Sequence, residues 1–423
     1  MTTTTTFDLA NIDLGDIELF RHGFPHEVFT ALREQAPVWR HPETPGTRGI
    51  GAPPFWVVST QADIEAVSRD HAHFRSFEGP MVQGWDPMAQ GHMLITMDPP
   101  DHTRLRRLVN SGFTPRMTAK LEEQARSWAA TIVENAVEKG ECNFVREVAY
   151  QLPMHMIADI VGIPASDRAA LFTVVQDSID ALNPDRGLSK EEQAVRSQTK
   201  VGELFAYAHE LAEEKRRSPA DDVWTKLTTA EVAQPDGSTT RLDEFELDLF
   251  FMVLTIAGSE TTRDAISSGL IALLHNPDQL ELLRSDPALM EGAIDEIVRW
   301  ASPVTYFRRT AVEDIVLHDQ EVSAGDPVCL FYPSGNRDAD VFDDPFTFDI
   351  RRSPNPHVGF GGHGVHYCLG ANLARREIKV MFEELLARVG EIELLGEPVH
   401  NVIGLQSMIM SSLSEVPVRL TPR

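Results

Sequence analysis

The sequence predicts a mainly α-helical fold carrying small β-sheets, organised as one domain over residues 1–423. Three observations carry this expectation. Residues 117–138 and 191–217 are rich in Ala, Glu, Lys and Arg, side chains that lose little freedom in a helix. Residues 242–275 run without proline, and their centre, LFFMVLTIAG, is apolar on nearly every side, the pattern of a buried rather than a surface helix. Strand-like runs are short and gather mainly in residues 303–350.

Each element follows in order. Residues 1–18 begin with a threonine run and are expected to form a poorly ordered start. The Pro- and Gly-rich residues 41–54 read as a loop, and FWVVST after them as a strand. Residues 76–100 mix Gly, Pro and Met without a period, which predicts a long irregular loop of the kind that usually carries function. From 101 to about 225 the pattern is mostly helical; PADDV and AQPDGSTT then punctuate the chain. As one helix, 242–275 would span ~50 Å, and Asn276-Pro277 ends it. A further helix is expected over 286–300, then short strands in VTYFRRTA, DIVLHD and DPVCLFYPS. A glycine-rich loop occupies 353–367, a helix 368–389, and strand-like pieces such as VPVRL the tail.

Charge and cysteine usage exclude several classes. Acidic residues number 64 against 38 basic, a formal net charge of -26. Such a chain lacks the cations that displace counterions from nucleic acid, and it disfavours anionic lipid. The three cysteines, Cys142, Cys329 and Cys368, form no disulfide framework, which fits a reducing, cytoplasmic setting. No signal-peptide pattern opens the sequence. The longest apolar run, near Leu249–Ala257, is too short for a membrane span, which needs about 18 residues.

Cys368 has the most distinctive setting. In FGGHGVHYCLG, residues 360–370, glycines deliver a cysteine to the mouth of a helix. Backbone N–H groups and the positive helix end favour a thiolate there, and the missing side chains would let a flat cofactor approach. A haem iron with thiolate ligation needs such a loop. Other readings are a buried cysteine packed as a small hydrophobe, a zinc site with His363 and His366, or a cysteine peptidase with a distant His and Asn. The glycines fit these less well.

The segment resembles the haem-binding loop of the cytochrome P450 family, whose usual form is Phe-Gly-x-Gly-x-His-x-Cys-x-Gly. Further motifs agree in order and spacing, and the resemblance extends from about residue 20 onward. It implies the family's fold, with haem b held between the long buried helix and the helix after Cys368. Cys368 would ligate the iron, with Phe360, Gly361 and Gly370 beside the haem. Ala257-Gly258-Ser259-Glu260-Thr261-Thr262 in the long helix resembles the oxygen-activation site. There Ala257 would leave room for O2, and Thr261 and Glu260 would manage protons. On the residues alone, Glu260 could equally pair with Arg263, and Thr261 could bond back to its own helix. Glu296-Ile297-Val298-Arg299 resembles the buried Glu-x-x-Arg pair, completed by an arginine for which spacing favours Arg352 over Arg351. His102, Arg106, Arg309 and His366 match the cations that hold haem propionates, with Arg308 competing with Arg309. One departure stands out: Phe360 lies one residue earlier than usual. This longer form resembles actinobacterial members that oxidise sterols and methyl-branched lipids.

By position within that resemblance, the substrate would meet Met81, Trp85, Met93, Leu94 and Ile95 in the long loop. The helix would offer Leu254 and Ala257, the strand region Val304 and Phe307, with Thr305 and Tyr306 beside them, and the tail Ile409 and Met410. These are overwhelmingly apolar, which predicts a lipophilic substrate: a branched-chain lipid, a terpenoid or a steroid. No dinucleotide-binding glycine fingerprint is present, so electrons from NAD(P)H would come through a separate ferredoxin and its reductase. Arg106, Arg107, Arg116, Lys120, Arg375, Arg376 and Lys379 could steer an acidic ferredoxin. The leading expectation is a monooxygenase using O2. A peroxide-driven haem enzyme and a non-catalytic haem-thiolate sensor are the alternatives.

Overall fold

The computed structural model describes residues 8–112, 115–181, 183, 187–233 and 237–423. The chain divides into two compact units. One comprises the described part of Met1–Gln90 with Ser268–Ala371 and His400–Leu413; the other comprises the described parts of Gly91–Ser267, Asn372–Val399 and Ser414–Arg423.

The first unit is built on a five-stranded sheet. Its spatial order is Val38–His41, Phe55–Val58, Pro327–Phe331, Tyr306–Ala311 and Phe74–Arg75. Only the pairing of Pro327–Phe331 with Phe55–Val58 is parallel. The central strands are buried along their length, so they read as continuous apolar runs. One face packs Val57, Cys329, Phe331 and Tyr306 against Phe29 and Leu32. The other packs Trp56, Val328 and Leu330 against Ile64 and Val67. The helix Met290–Ala301 carries the Glu-x-x-Arg pair and ends on Ser302 in a left-handed conformation.

Residues 8–18 differ from the expected loose start. They form 3-10 turns at Leu9–Asn11 and Ile17–Phe20, capped by the carboxylates of Asp8 and Asp16. Ile12 and Leu14 are buried in the core beside Phe29. Asp13 accepts from the amides of Gly15 and Gly46 and from the Thr44 hydroxyl, which pins the strand of chain between them. Residues 1–7 lie outside the described residues.

The second unit is largely helical, with Asp101–Gly112, Pro115–Lys139, Gln151–Val161, Ala165–Asp180, Lys190–Arg217 and Val223–Thr229. Ser189 and Glu192 form a reciprocal capping box on the longest of these, each satisfying an orphan amide of the first turn. A three-stranded sheet, Val389–Leu394, Pro417–Pro422 and Glu141–Asn143, closes it. The apolar segment is one helix of 32 residues, Glu244–His275, about 48 Å long at 1.5 Å per residue. It ends at Asn276, and Pro277 opens the next helix, as the fixed φ of proline favours at a first helical position. Among the described residues no helix is long and apolar enough to cross a membrane.

Candidate active site

The cysteine loop belongs to the first unit. The three cysteines differ sharply. Cys142 and Cys329 are buried, and burial pushes their thiols up to about 11 and about 12, so both are held as inert thiols. Cys368 is exposed, against the reading of it as a small buried hydrophobe. Its amide donates to the Phe360 carbonyl across 3.0 Å, closing the loop into a ring. The following helix is Ala371–Arg388. It begins three residues later than the expected 368, after Cys368, whose amide bonds back into the loop.

The glycines have a reason beyond clearing space for a cofactor. A Cβ on Gly362 would stand 2.5 Å from the Ser68 hydroxyl, and one on Gly364 would stand 2.3 Å from the Ser68 carbonyl. Gly364 also has φ +101°. The loop therefore lies directly on the C-terminal turn of the helix Gln61–Arg69. His363 stacks on Tyr367, and the His366 Nε2 lies 3.0 Å from the buried Ser76 hydroxyl. Among the described residues no group of three or more His, Cys, Asp or Glu is placed to hold a metal ion, which removes the geometric basis of the zinc reading.

Behind the loop, Glu296 and Arg299 are fully buried and joined by two hydrogen bonds of 2.7 Å. Arg299 also donates to the carbonyls of Asn336, Pro345 and Thr347. Arg352 reaches Glu296 at 3.3 Å, whereas exposed Arg351 pairs with half-buried Asp349. The Asp349 amide and the Asn355 side chain donate to the same Glu296 carboxylate. Arg337, which motif spacing does not reveal, donates to the Arg299 and Trp300 carbonyls and lies over the Trp300 ring.

The strand Tyr306–Ala311 separates the two competing arginines by alternation. Phe307 packs with Ala311 on one side of the sheet, Tyr306 on the other. Arg308 donates to the Val82 carbonyl and the Thr310 hydroxyl, so it ties protein to protein. Arg309, on the Phe307 side by alternation, donates to the Arg308 carbonyl and is buried. Val304, Phe307 and Ile409 are half-buried. Met410 and Tyr306 are not accessible: both are fully buried in the cluster with Phe29 and Phe331. The expectation that they meet a substrate fails on this burial; they support the segments that carry the others.

The remaining predicted residues belong to the second unit. In the long helix, Leu254, Ala257 and Thr261 fall on one stripe at helical spacing and are accessible there, while Thr255, Ser259 and Glu260 are buried. The Thr261 hydroxyl donates to the Ala257 carbonyl at 2.8 Å. Its donor is thereby used, and its lone pairs stay free to accept. Glu260 Oε2 pairs with Arg263 at 2.5 Å, while Oε1 is buried without a hydrogen-bond partner among the described residues. Burial holds the Glu260 carboxyl above the ordinary carboxylate range; Arg263 opposes the shift, and Asp264 and Asp180 add to it. Both local alternatives read from the sequence, the arginine pair and the helix-bonded hydroxyl, are thus present.

His102 is buried and Arg106 half-buried on the helix Asp101–Gly112. Met93 is buried, with its amide and carbonyl both on the Thr96 hydroxyl; Leu94 and Ile95 are half-buried. Of the basic residues expected to meet a ferredoxin, Arg376 pairs with Glu122 at 2.8 Å and Lys120 donates to the Asp221 carbonyl. Arg107 is exposed. The Arg116 side chain lies outside the described residues. Sequence reasoning passed over Glu377, buried in the helix Ala371–Arg388 with Oε2 unpartnered among the described residues. Burial alone pushes its carboxyl up to about 8. An acidic residue on the apolar side of that helix was the only signal that could have found it.

The profile of one family, described as Cytochrome P450, matches residues 15–390. The chain belongs to the cytochrome P450 family. It is 44% identical over 409 residues to cytochrome P450 126 of Mycobacterium tuberculosis, covering 94% of this chain and 95% of that one. It is 39% identical over 393 residues to a steroid C26-monooxygenase of Rhodococcus jostii, covering 91% of this chain and 80% of that protein. Among solved structures, a Mycobacterium marinum cytochrome P450 in complex with pseudoionone superposes with a TM-score of 0.86 at 37% identity, covering 97% and 98% of the two chains. The fold is therefore that of the cytochrome P450 family, and the family implies a haem cofactor.

Proposed function

We propose that this chain is a haem-thiolate monooxygenase that hydroxylates a lipophilic substrate, a steroid, terpenoid or branched-chain lipid. It would use O2 and two electrons from NAD(P)H, passed through a ferredoxin and its reductase. The observation that carries the reading is Cys368: an exposed thiol whose amide is locked to Phe360, ahead of a helix, in a chain of this family. The donor set fits the cofactor. The three cysteines are far apart in sequence and none sits in a C-x-x-C-H motif, so no covalent haem attachment is provided, which supports haem b. When bound, the haem supplies the iron at which O2 is reduced and cleaved.

The chain's own residues then divide the work. Cys368 would ligate the iron, and its thiolate would supply the electron density that favours O–O cleavage. His102, Arg106, Arg309 and His366 would hold the propionates, which need cations or charge-assisted donors. Arg309 is chosen over Arg308 because Arg308 is spent on the Val82 carbonyl. Thr261, with its donor engaged, presents lone pairs to a hydrogen-bond donor. Burial raises the proton affinity of the Glu260 carboxyl, and Arg263 keeps its Oε2 in place. Leu254, Ala257, Leu94 and Ile95 offer an apolar surface to the substrate, as do Val304, Phe307 and Ile409, while Met93, buried as Met410 is, would support that surface and not line it. No arginine or lysine is expected there to clamp a carboxylate. The relatives' names, a steroid C26-monooxygenase and a complex with pseudoionone, support the same class. The whole chain is read as one domain working in the cytoplasm.

The test is incorporation of oxygen. The holoenzyme, a ferredoxin, its reductase and NADPH are supplied with isotopically labelled O2 and a panel of steroids and terpenoids. One labelled oxygen atom in a hydroxylated product is expected. Product oxygen derived from water, or turnover only with hydrogen peroxide, would overturn the monooxygenase reading.

A further inference from the structure

Three stretches of the first unit carry side chains expected to meet the substrate: residues 80–85, 304–307 and 404–410. The structure ties them together through one buried hydroxyl. The Tyr306 phenol donates to the Leu405 carbonyl at 2.5 Å and accepts from the Val82 amide at 3.2 Å. Tyr306 is fully buried and its ring stacks on Phe331. Its one donor and an acceptor position are both used, by partners 224 and 99 residues away in sequence. Neighbouring bonds reinforce the tie. Arg308 donates to the Val82 carbonyl at 3.1 Å, and its amide to the Pro80 carbonyl at 2.8 Å. Gln83 donates to the Gln406 carbonyl at 3.1 Å. The Thr305 amide donates to the Met408 carbonyl at 2.8 Å, and the Met410 amide to the Thr305 hydroxyl at 3.3 Å.

We propose that Tyr306 is a specificity-determining positioning residue, a clamp that sets the spacing of three substrate-contact segments without touching substrate. This rests on the proposed function above. Each expected contact sits next to a tie point: Met81 beside Val82, Phe307 beside Tyr306, and Ile409 beside Met410. Alternation along the strand turns Tyr306 into the core and Phe307 to the other side of the sheet. A small shift of these segments changes the fit of a bulky ligand and leaves room for a small one unchanged. Positioning of this kind is sensitive at the level of an ångström.

Tyr306→Phe keeps the buried ring and removes both hydrogen bonds. Gln83→Met removes an outer tie on a half-buried residue and serves if the first variant folds poorly. Holoenzymes are compared by haem content, by the spectrum of the reduced carbon monoxide complex, and by titration with imidazole and 4-phenylimidazole. Amide hydrogen exchange is followed over 80–85 and 403–410. The expected result for Tyr306→Phe is unchanged haem content, faster exchange in those two segments, and imidazole affinity within about twofold of the wild type. Affinity for 4-phenylimidazole should change by roughly fivefold or more, about 1 kcal/mol, and Gln83→Met should show the same direction with a smaller change. Unchanged exchange would overturn the clamp. Faster exchange with an unchanged ratio of the two affinities would overturn its role in specificity. A wild type that takes up no haem would instead defeat the proposed function, and the exchange measurement would still report whether the clamp exists.

Discussion

Two buried carboxylates, Glu296 and Glu260, each pair with an arginine three residues on, yet their surroundings are opposite. Glu296 accepts from Arg299 twice, from Arg352, from Asn355 and from the Asp349 amide. Arg299 fills its remaining donors with three backbone carbonyls. Glu260 has an arginine contact, one buried oxygen without a hydrogen-bond partner among the described residues, and two further acids acting on it. A buried ion pair offsets its desolvation only when geometry is good and the leftover lone pairs are satisfied. The first site meets that condition and behaves as scaffold, fixing the segment ahead of the cysteine loop. The second does not meet it. An unsatisfied buried acid costs stability and is the kind of group whose shifted proton affinity serves chemistry.

Substitutions that break or sharpen this contrast can be ranked by size. Arg299→Ala should have the largest effect, since it strands a buried carboxylate at a cost of about 3–5 kcal/mol. Urea denaturation should show the loss, together with poor haem retention; a variant as stable as the wild type would mean the network is not scaffold. Glu260→Gln should leave stability nearly unchanged and lower turnover by roughly a hundredfold, the low end for removal of a proton-transfer group. Equal losses of stability at Glu260 and Glu296 would erase the distinction. Arg263 lowers the Glu260 proton affinity, so Arg263→Met should move the inflection of the pH–rate profile to higher pH. A shift to lower pH would show that the pair acts otherwise.

Glu377 supplies a third case, a buried acid with burial as the sole cause of its shift. Its folded value of about 8 lies above the ordinary 4.5. Between those values the folded chain holds a proton that the unfolded chain has released. Wild-type stability should therefore fall as pH rises through this window, by up to about 1.4 kcal/mol per unit. Glu377→Gln should flatten that slope and gain on the wild type at pH 8; parallel slopes in denaturation at pH 5, 6.5 and 8 would refute the assignment. The smallest expected effect is at the surface. Charge reversal at Arg376 and Lys379 should slow reduction by ferredoxin several-fold at low salt and little at high salt. The Arg376–Glu122 pair is exposed, and such pairs contribute little to stability, so folding should be unaffected.

Much of this was legible in the sequence wherever local pattern decides structure. The proline-free apolar segment gave the long helix to within two residues at its start, Glu244 against 242. Spacing singled out Arg352 over Arg351 because only one of them could turn inward to Glu296. The later start of the helix after Cys368 was not legible, since it depends on how the glycine loop folds back on itself and on the helix Gln61–Arg69. Burial of Ile12 and Leu14 was hidden because the carboxylate of Asp13 anchors them to Thr44 and Gly46. Tyr306 looked like a substrate contact by position alone. Which side of the sheet it faces, and the partners of its hydroxyl, depend on pairings hundreds of residues apart that no local pattern encodes.

The account stands on Cys368 as the thiolate ligand of a haem. The most direct measurement is the absorption spectrum of the reduced protein under carbon monoxide, for the wild type and for Cys368→Ser. A strongly red-shifted Soret band in the wild type, absent in the variant, is the predicted result. A wild-type band typical of histidine ligation, or one that survives the loss of Cys368, would contradict it.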